Sequence, residues 1–291
     1  MAPLRFKQVD VFTRKPFWGN PVAVVIGAER LEPQQMQRIA SWTNLSETTF
    51  VLPPSVIGAD YRLRIFSPRQ ELPFAGHPTI GSAHAVIESG YAAPRAGKLR
   101  QECLAGLLDL FIDTTEEGTS IMVEAPPAKV SGLDEVAAKI LSRGLGAPLA
   151  AGTRPLRVEV GVEWLVADMG DAAKVASLQP DMNVLAALSG ELRVAGVTVF
   201  GRAKEGLSAL HVRSFAPAQG IPEDPVCGSG NAGVAAFLIH SGLMMEFGSA
   251  YTARQGMQVG RDGKVSVQIQ GDSIRIGGYA VTCVEGFLRV D

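Results

Sequence analysis

Apolar and polar residues alternate along Phe6-Lys-Gln-Val-Asp-Val-Phe12, the pattern of a half-buried strand. Gly19-Asn20-Pro21 then punctuates the chain, and Val22-Ala-Val-Val-Ile26 reads as a second, more buried strand. From Glu32-Pro33 the period changes. Met36, Ile39, Ala40 and Trp42 recur at helical spacing, with Pro placed at the first turn. Leu45-Ser-Glu-Thr-Thr-Phe-Val-Leu52 is rich in β-branched residues and carries Glu47 near its start, and Tyr61–Phe66 alternates again. Pro78 to Ser89 is a helix of small residues closed by Gly90, predicted to be buried because glycine and alanine let other backbone approach. Strand-like pieces at Leu107–Asp113 and Ser120–Glu124 lead to Ala125-Pro-Pro-Ala128, where Pro-Pro can continue neither a helix nor a central ladder.

The same grammar then repeats. Arg157–Val160, Glu163–Val166, Val194–Phe200 and Ala209–Phe215 read as strands, and Pro180–Leu188 and Ser229–Ser241 as helices. Strands at Tyr251–Arg254, Lys264–Ile269, Ser273–Ile276 and Phe287–Val290 complete the chain. The repetition extends to residue identity. Arg64, Phe66, Pro68, Gln70 and Pro73 recur in order as Arg213, Phe215, Pro217, Gln219 and Pro222. After three extra residues, assigned to Glu223-Asp224-Pro225, Gly76, Gly81, Ala83, Ile87, Ser89 and Gly90 recur as Gly228, Gly233, Ala235, Ile239, Ser241 and Gly242. One unit has been duplicated. Regular β-α-β alternation is missing, so a doubly wound sheet is not expected; each unit is mostly strands around one buried helix.

Length and composition narrow the function. A chain of 291 residues suits two domains, and 46% apolar with 19% charged residues describes a compact fold. A net charge of −2 points to neither nucleic acid nor an anionic membrane. The amino terminus lacks a signal-peptide core, and no apolar run is long enough for a bilayer span. Cys103, Cys227 and Cys283 are far apart without Cys-x-x-Cys, arguing against a zinc site and a disulfide scaffold and for a reduced, cytoplasmic setting.

Each repeated motif places glycine-rich backbone at a helix amino terminus, where N–H groups and the dipole favour an anion. A pocket between two such termini would hold a carboxylate or stabilise an enolate-like oxyanion. Chemistry is expected where the halves differ. Glu47 falls opposite roughly Val194–Gly196, His77 opposite Ser229, and Ala75 opposite Cys227. The expected pocket therefore gathers Glu47, His77, Asp224, Cys227 and Ser229. Cys227, at a helix start, is expected to have a lowered pKa if exposed. Gly228-Ser-Gly-Asn-Ala-Gly233 matches the spacing of a dinucleotide fingerprint but lacks its strand–turn–helix context and following acid. No Gly-x-Ser-x-Gly elbow surrounds Ser229, so a hydrolase triad is set aside.

Gly19-Asn20-Pro21, Leu45-Ser-Glu-Thr-Thr-Phe50, Glu71-Leu-Pro-Phe-Ala-Gly-His-Pro-Thr79 and Glu223-Asp-Pro-Val-Cys-Gly-Ser229 together resemble the phenazine-biosynthesis isomerase family, across nearly the whole chain. The resemblance implies the diaminopimelate epimerase fold, α+β, with two pseudo-symmetric domains, each a β-barrel-like roll around a central helix. It implies domains at 1–127 (completed by about 279–291) and 128–278, a site in the cleft between them, a homodimer and no cofactor or metal. It also implies a proton moved between carbons of a small carboxylate-bearing substrate resembling dihydro-hydroxyanthranilate. On the matching motif positions, Glu47, Asp224 and His77 are the expected catalytic residues. Gly76, Gly228, Ser229 and Cys227 are expected to bind substrate. Cys227 departs from the threonine usual in that family and matches the cysteine of epimerases of the same fold. Those enzymes use one cysteine from each half, and here the other position is Ala75. A one-cysteine epimerase and a non-catalytic carboxylate binder stand as alternatives.

Overall fold

A computed structural model describes residues 3–203, 206 and 208–290. The chain forms two compact units, Met1–Glu124 with Gly277–Asp291, and Ala125–Ile276. The first contains β1 (Leu4–Val11), β2 (Asn20–Ile26), α1 (Pro33–Thr43), β3 (Thr48–Leu52), β4 (Tyr61–Phe66), β5 (Glu71–Leu72), α2 (Gly76–Glu88), β6 (Lys98–Cys103), β7 (Gly106–Thr115) and β8 (Gly118–Glu124). The second contains β9 (Lys129–Gly132), α3 (Glu135–Leu145), β10 (Leu156–Glu159), β11 (Glu163–Asp171), α4 (Ala172–Ser177), α5 (Met182–Leu192), β12 (Gly196–Arg202), β13 (Leu210–Ala216), β14 (Ile221–Asp224), α6 (Gly228–His240), β15 (Ala250–Gln255) and β16 (Gly263–Gln270). The long β17 (Ser273–Leu288) follows.

In the first unit the ladder β1–β2–β3–β4–β6–β7–β8 is closed by β17, which pairs with both β8 and β1. A closed barrel has no unpaired edge, and its interior must be filled. Helix α2 fills it, packing on β1, β2, β3, β4 and β8. Small residues make this possible. A Cβ added at Gly81 would lie 2.4 Å from Val22 Cγ1 and 2.8 Å from Val11 Cγ2. Two polar pairs also hold α2: Thr49 Oγ1 and Ser82 Oγ lie 2.7 Å apart, and the Gln101 amide links Tyr61 to Thr79. Helix α1 lies outside, its Met36 and Ala40 packed with Leu4, Val25, Phe50 and Phe66. Trp42, expected on its apolar face, is instead exposed, because six residues after Met36 it lies about 120° round the helix from that face.

The second unit repeats the plan. Strands β9 to β13, then β15 and β16, form one continuous ladder, and α6 packs on β9, β10, β11, β12 and β16. Helices α3 and α5 cover the outer face of β11 and β12 through Leu141, Leu145, Leu185 and Leu188. The helices expected from Glu32-Pro33 and at Pro180–Leu188 are α1 and α5, while α3 and α4 are additions that the sequence pattern did not predict; together they shield the outward side chains of strands apolar on both faces. The two carboxyl-terminal strands expected separately are one, because β17 runs through Gly277 and Gly278 without a turn.

Candidate functional site

Equivalent positions follow from strand register. In the first unit Thr48 pairs with Phe66 and Phe66 with Glu71. In the second, Val197 pairs with Phe215 and Ser214 with Asp224. Phe66 and Phe215 are therefore twins, and the residues before Thr48 and Val197, Glu47 and Gly196, are twins too. Matching ion pairs mark the same correspondence. Arg64 grips Glu71 with two bonds of 2.7 Å, and Arg213 grips Glu223 at 3.0 and 2.7 Å. This corrects the placement of the extra residues. Glu71 matches Glu223, Leu72 matches Asp224 and Pro73 matches Pro225, so the insertion lies in the turn containing Pro217–Gln219. Asp224 is not an added residue but an acid at a position where the first half has leucine.

The first unit brings Glu47, Gly76 and His77 together. Glu47 immediately precedes β3, and its backbone carbonyl accepts from Ala23 N–H at 3.4 Å. Its side chain turns inward with 16% of its surface exposed, and Oε2 lies 3.3 Å from His77 Nε2. His77, the second residue of α2, is buried. Burial pushes the Glu47 carboxyl up from its ordinary 4.5 to about 7, against an opposing hydrogen bond from Ser46. The helix begins at Gly76 with Ala75 at the N-cap, so its first turn receives no side-chain cap. A carboxyl group with a near-neutral pKa, a histidine in contact with it and an uncapped helix start can donate a proton, accept one and attract an anion.

The second unit brings Asp224, Cys227, Gly228 and Ser229 together. Asp224 Oδ1 accepts from Val226 N–H at 3.0 Å, an Asx turn leading into α6. Cys227 caps that helix, its Sγ accepting from Gly230 N–H at 3.2 Å. Burial, reinforced by the charge of Asp224, pushes the Cys227 thiol well above its ordinary value. The lowered pKa expected for an exposed helix-start cysteine does not apply, because the thiol is buried and the helix N–H bond cannot offset desolvation. Asn231 and Gln255 brace the turn: Asn231 Nδ2 donates to the Cys227 carbonyl and to Gln255 Oε1, and Gln255 Nε2 donates to the Asp224 carbonyl. Ser229, half-buried, accepts from the indole N–H of Trp164 at 3.1 Å.

Sequence reasoning missed Trp164 and Gly196, although the repeat pointed at Gly196 as one of three residues opposite Glu47. Trp164 pairs with Gly196 across β11 and β12, and an added Cβ on Gly196 would lie 2.9 Å from Trp164 Cζ3 and 2.1 Å from the Phe215 carbonyl oxygen. The missing side chain there is a packing requirement. Among the described residues, no group of three or more His, Cys, Asp or Glu side chains could hold a metal ion, and no helix is long and apolar enough to cross a membrane.

The family model described as phenazine biosynthesis-like protein matches residues 9–286. The chain is 44% identical to antisense-enhancing sequence 1 of Schizosaccharomyces pombe, over 98% of this chain and 99% of that protein. It is 30% identical to the trans-2,3-dihydro-3-hydroxyanthranilate isomerase of Pseudomonas aeruginosa, over 96% and 95%. A solved structure of a phenazine biosynthesis protein of the PhzF family from Bacillus anthracis matches all of both chains, with a TM-score of 0.88 at 26% identity. The fold is diaminopimelate epimerase-like, as in hydroxyproline epimerase and proline racemase structures.

Proposed function

This chain belongs to the family of phenazine biosynthesis-like proteins, and on that premise we propose that it is an isomerase that moves a proton between carbons of a small carboxylate-bearing metabolite, with Glu47 as general acid and base. The observation that carries the reading is Glu47 itself: shielded from solvent, with a pKa near 7 and 3.3 Å from His77. At neutral pH both of its protonation states are populated, which suits a group that removes a proton and then returns it. As carboxylate, Glu47 takes a proton from a substrate C–H, leaving the electron pair delocalised over the adjoining unsaturated system. As carboxylic acid, it returns that proton to a different carbon. Bonds and electrons balance without oxidant or reductant. In this reading His77 orients Glu47 and Asp224 assists at the second helix start. Gly76, Gly228 and Ser229 bind the substrate through backbone N–H and hydroxyl groups, and Cys227 lines the same turn. The family resemblance adds a cofactor-free reaction and a homodimer.

Trans-2,3-dihydro-3-hydroxyanthranilate, the substrate named for the Pseudomonas aeruginosa relative, is the first compound to test. With a turned-over substrate, kcat/KM rises with pH through about 7 and then levels, because the free enzyme must present the carboxylate. Glu47→Gln keeps the shape and loses the titrating group, and it lowers kcat at least ~100-fold with little change in substrate affinity. Turnover preserved in Glu47→Gln would remove Glu47 from the chemistry. Saturable carboxylate binding without turnover of any compound would favour the non-catalytic binder.

A further inference from the structure

The two halves answer the same structural question differently. Where the first unit has Val22, Glu47 and His77, the second has Trp164, Gly196 and Ser229, by the registers of β2 with β3 and of β11 with β12. Trp164 is only 4% exposed, and its six-membered ring lies beside Gly196, where a side chain equivalent to Glu47 would begin. Its Nε1–H ends 3.1 Å from Ser229 Oγ, the twin of His77. An acid/base pair in one half is thus replaced in the other by an indole–hydroxyl pair.

The replacement has a chemical consequence. An indole N–H only donates, whereas a serine hydroxyl both donates and accepts. Once Ser229 Oγ accepts from Trp164, its own hydrogen cannot point at the indole nitrogen and must be donated elsewhere. Among the described residues Cys227 Sγ lies 3.6 Å away, a weak acceptor whose sulfur already takes the Gly230 N–H. Accepting one hydrogen bond also polarises the O–H and strengthens the bond that it gives. Neither indole nor hydroxyl titrates near neutrality, so this pair cannot act as a second general base.

We propose that Trp164 is a positioning residue: its indole N–H sets the Ser229 hydroxyl as a hydrogen-bond donor to the substrate carboxylate, and its ring closes the place where a second acid/base group would stand. This rests on the reading above that Ser229 binds the carboxylate. The Trp164–Ser229 pair then serves recognition and carries no proton between carbons, a task left to Glu47.

The test uses binding, so it does not depend on turnover. The probes are 3-hydroxyanthranilate, the stable aromatic counterpart of the candidate substrate, and 2-aminophenol, which lacks the carboxylate. Affinities are measured by calorimetry for wild type, Ser229→Ala, Trp164→Phe and the double variant. Trp164→Phe keeps an aromatic ring and loses the N–H. It is expected to weaken 3-hydroxyanthranilate about fivefold and 2-aminophenol less than twofold, and the double variant should be no worse than Ser229→Ala, because the two residues act through one hydrogen bond. A loss equal for both probes, or no loss at all, would overturn the role of Trp164 while leaving Ser229 as the carboxylate contact. If Ser229→Ala binds 3-hydroxyanthranilate like wild type, or wild type prefers neither probe, the reading of the site fails and the inference fails with it. A second measurement needs no Trp164 variant to fold. In ¹⁵N-labelled protein the three tryptophans give three indole N–H resonances. The Trp164 resonance, identified as the one displaced by Ser229→Ala, should move on titration of wild type with 3-hydroxyanthranilate. An indole resonance that stays fixed at saturation would contradict the proposal.

Discussion

Removing the Glu47 charge should make stability less sensitive to pH, with a sign opposite to that of most carboxylate deletions. The folded-state pKa of Glu47 is raised from 4.5 to about 7, with burial as the main cause. In the unfolded chain the carboxyl ionises near 4.5, so between the two values the native state binds more protons and stability falls as pH rises. Below pH 4.5 the group is neutral in both states, and the stabilising difference is fully present. Above 7 the native protein must carry a desolvated charge. At 1.36 kcal/mol per pKa unit the full effect is about 3 kcal/mol. Most of it, ~2–3 kcal/mol, falls between pH 5 and pH 8. Glutamine has the same shape and does not titrate. Urea unfolding of wild type and Glu47→Gln at both pH values therefore isolates the carboxyl and its contact with His77, since titrating groups away from Glu47 cancel in the comparison. The expected result is a variant that gains on wild type by about that amount at pH 8 relative to pH 5. Parallel stability profiles would mean that Glu47 ionises at an ordinary pKa, and the argument for acid/base chemistry at neutral pH would collapse.

Other perturbations probe the framework and the alternative chemistry. Arg213→Met strands Glu223, whose side chain keeps only 6% exposure, and should destabilise by about 3–5 kcal/mol in thermal or urea melts, more than Arg64→Met, because Glu71 keeps 23%. Gly81→Ala forces a methyl against Val22 and Val11 inside the barrel and should lower stability by about 1–3 kcal/mol; an unchanged melting temperature would show slack in that packing. Iodoacetamide should label Cys227 much more slowly than a free thiol at pH 8, because the group is buried and held protonated; rapid, inactivating alkylation would revive the one-cysteine epimerase.

Much of this architecture was legible because the sequence writes it twice. The repeated Arg-x-Phe and glycine-rich helix starts located α2 and α6, and alternating residues located most of the strands. The pattern was weaker wherever the cause was tertiary. Trp42 is apolar within the helical pattern yet exposed, since it lies about 120° round the helix from Met36. Residue identity aligns Pro73 with Pro222 and so puts the insertion at Glu223–Pro225, whereas the Arg213–Glu223 ion pair fixes the equivalence physically. Identity cannot distinguish two prolines in one turn; a buried charge needing its partner can. Glu47 and His77 were both named from the sequence, but their 3.3 Å contact and the near-neutral carboxyl depend on how β3 and α2 meet, which no local pattern contains. The Trp164–Ser229 bond joins residues 65 positions apart and escaped the sequence for the same reason.

Deuterium uptake from heavy water tests the central claim most directly. The protein is incubated in D₂O with trans-2,3-dihydro-3-hydroxyanthranilate and a panel of amino acids, and the compounds are recovered for mass spectrometry, with Glu47→Gln in parallel. The account predicts deuterium at carbon in a carboxylate-bearing compound, lost by at least ~100-fold in Glu47→Gln. Equal incorporation by the variant would contradict it.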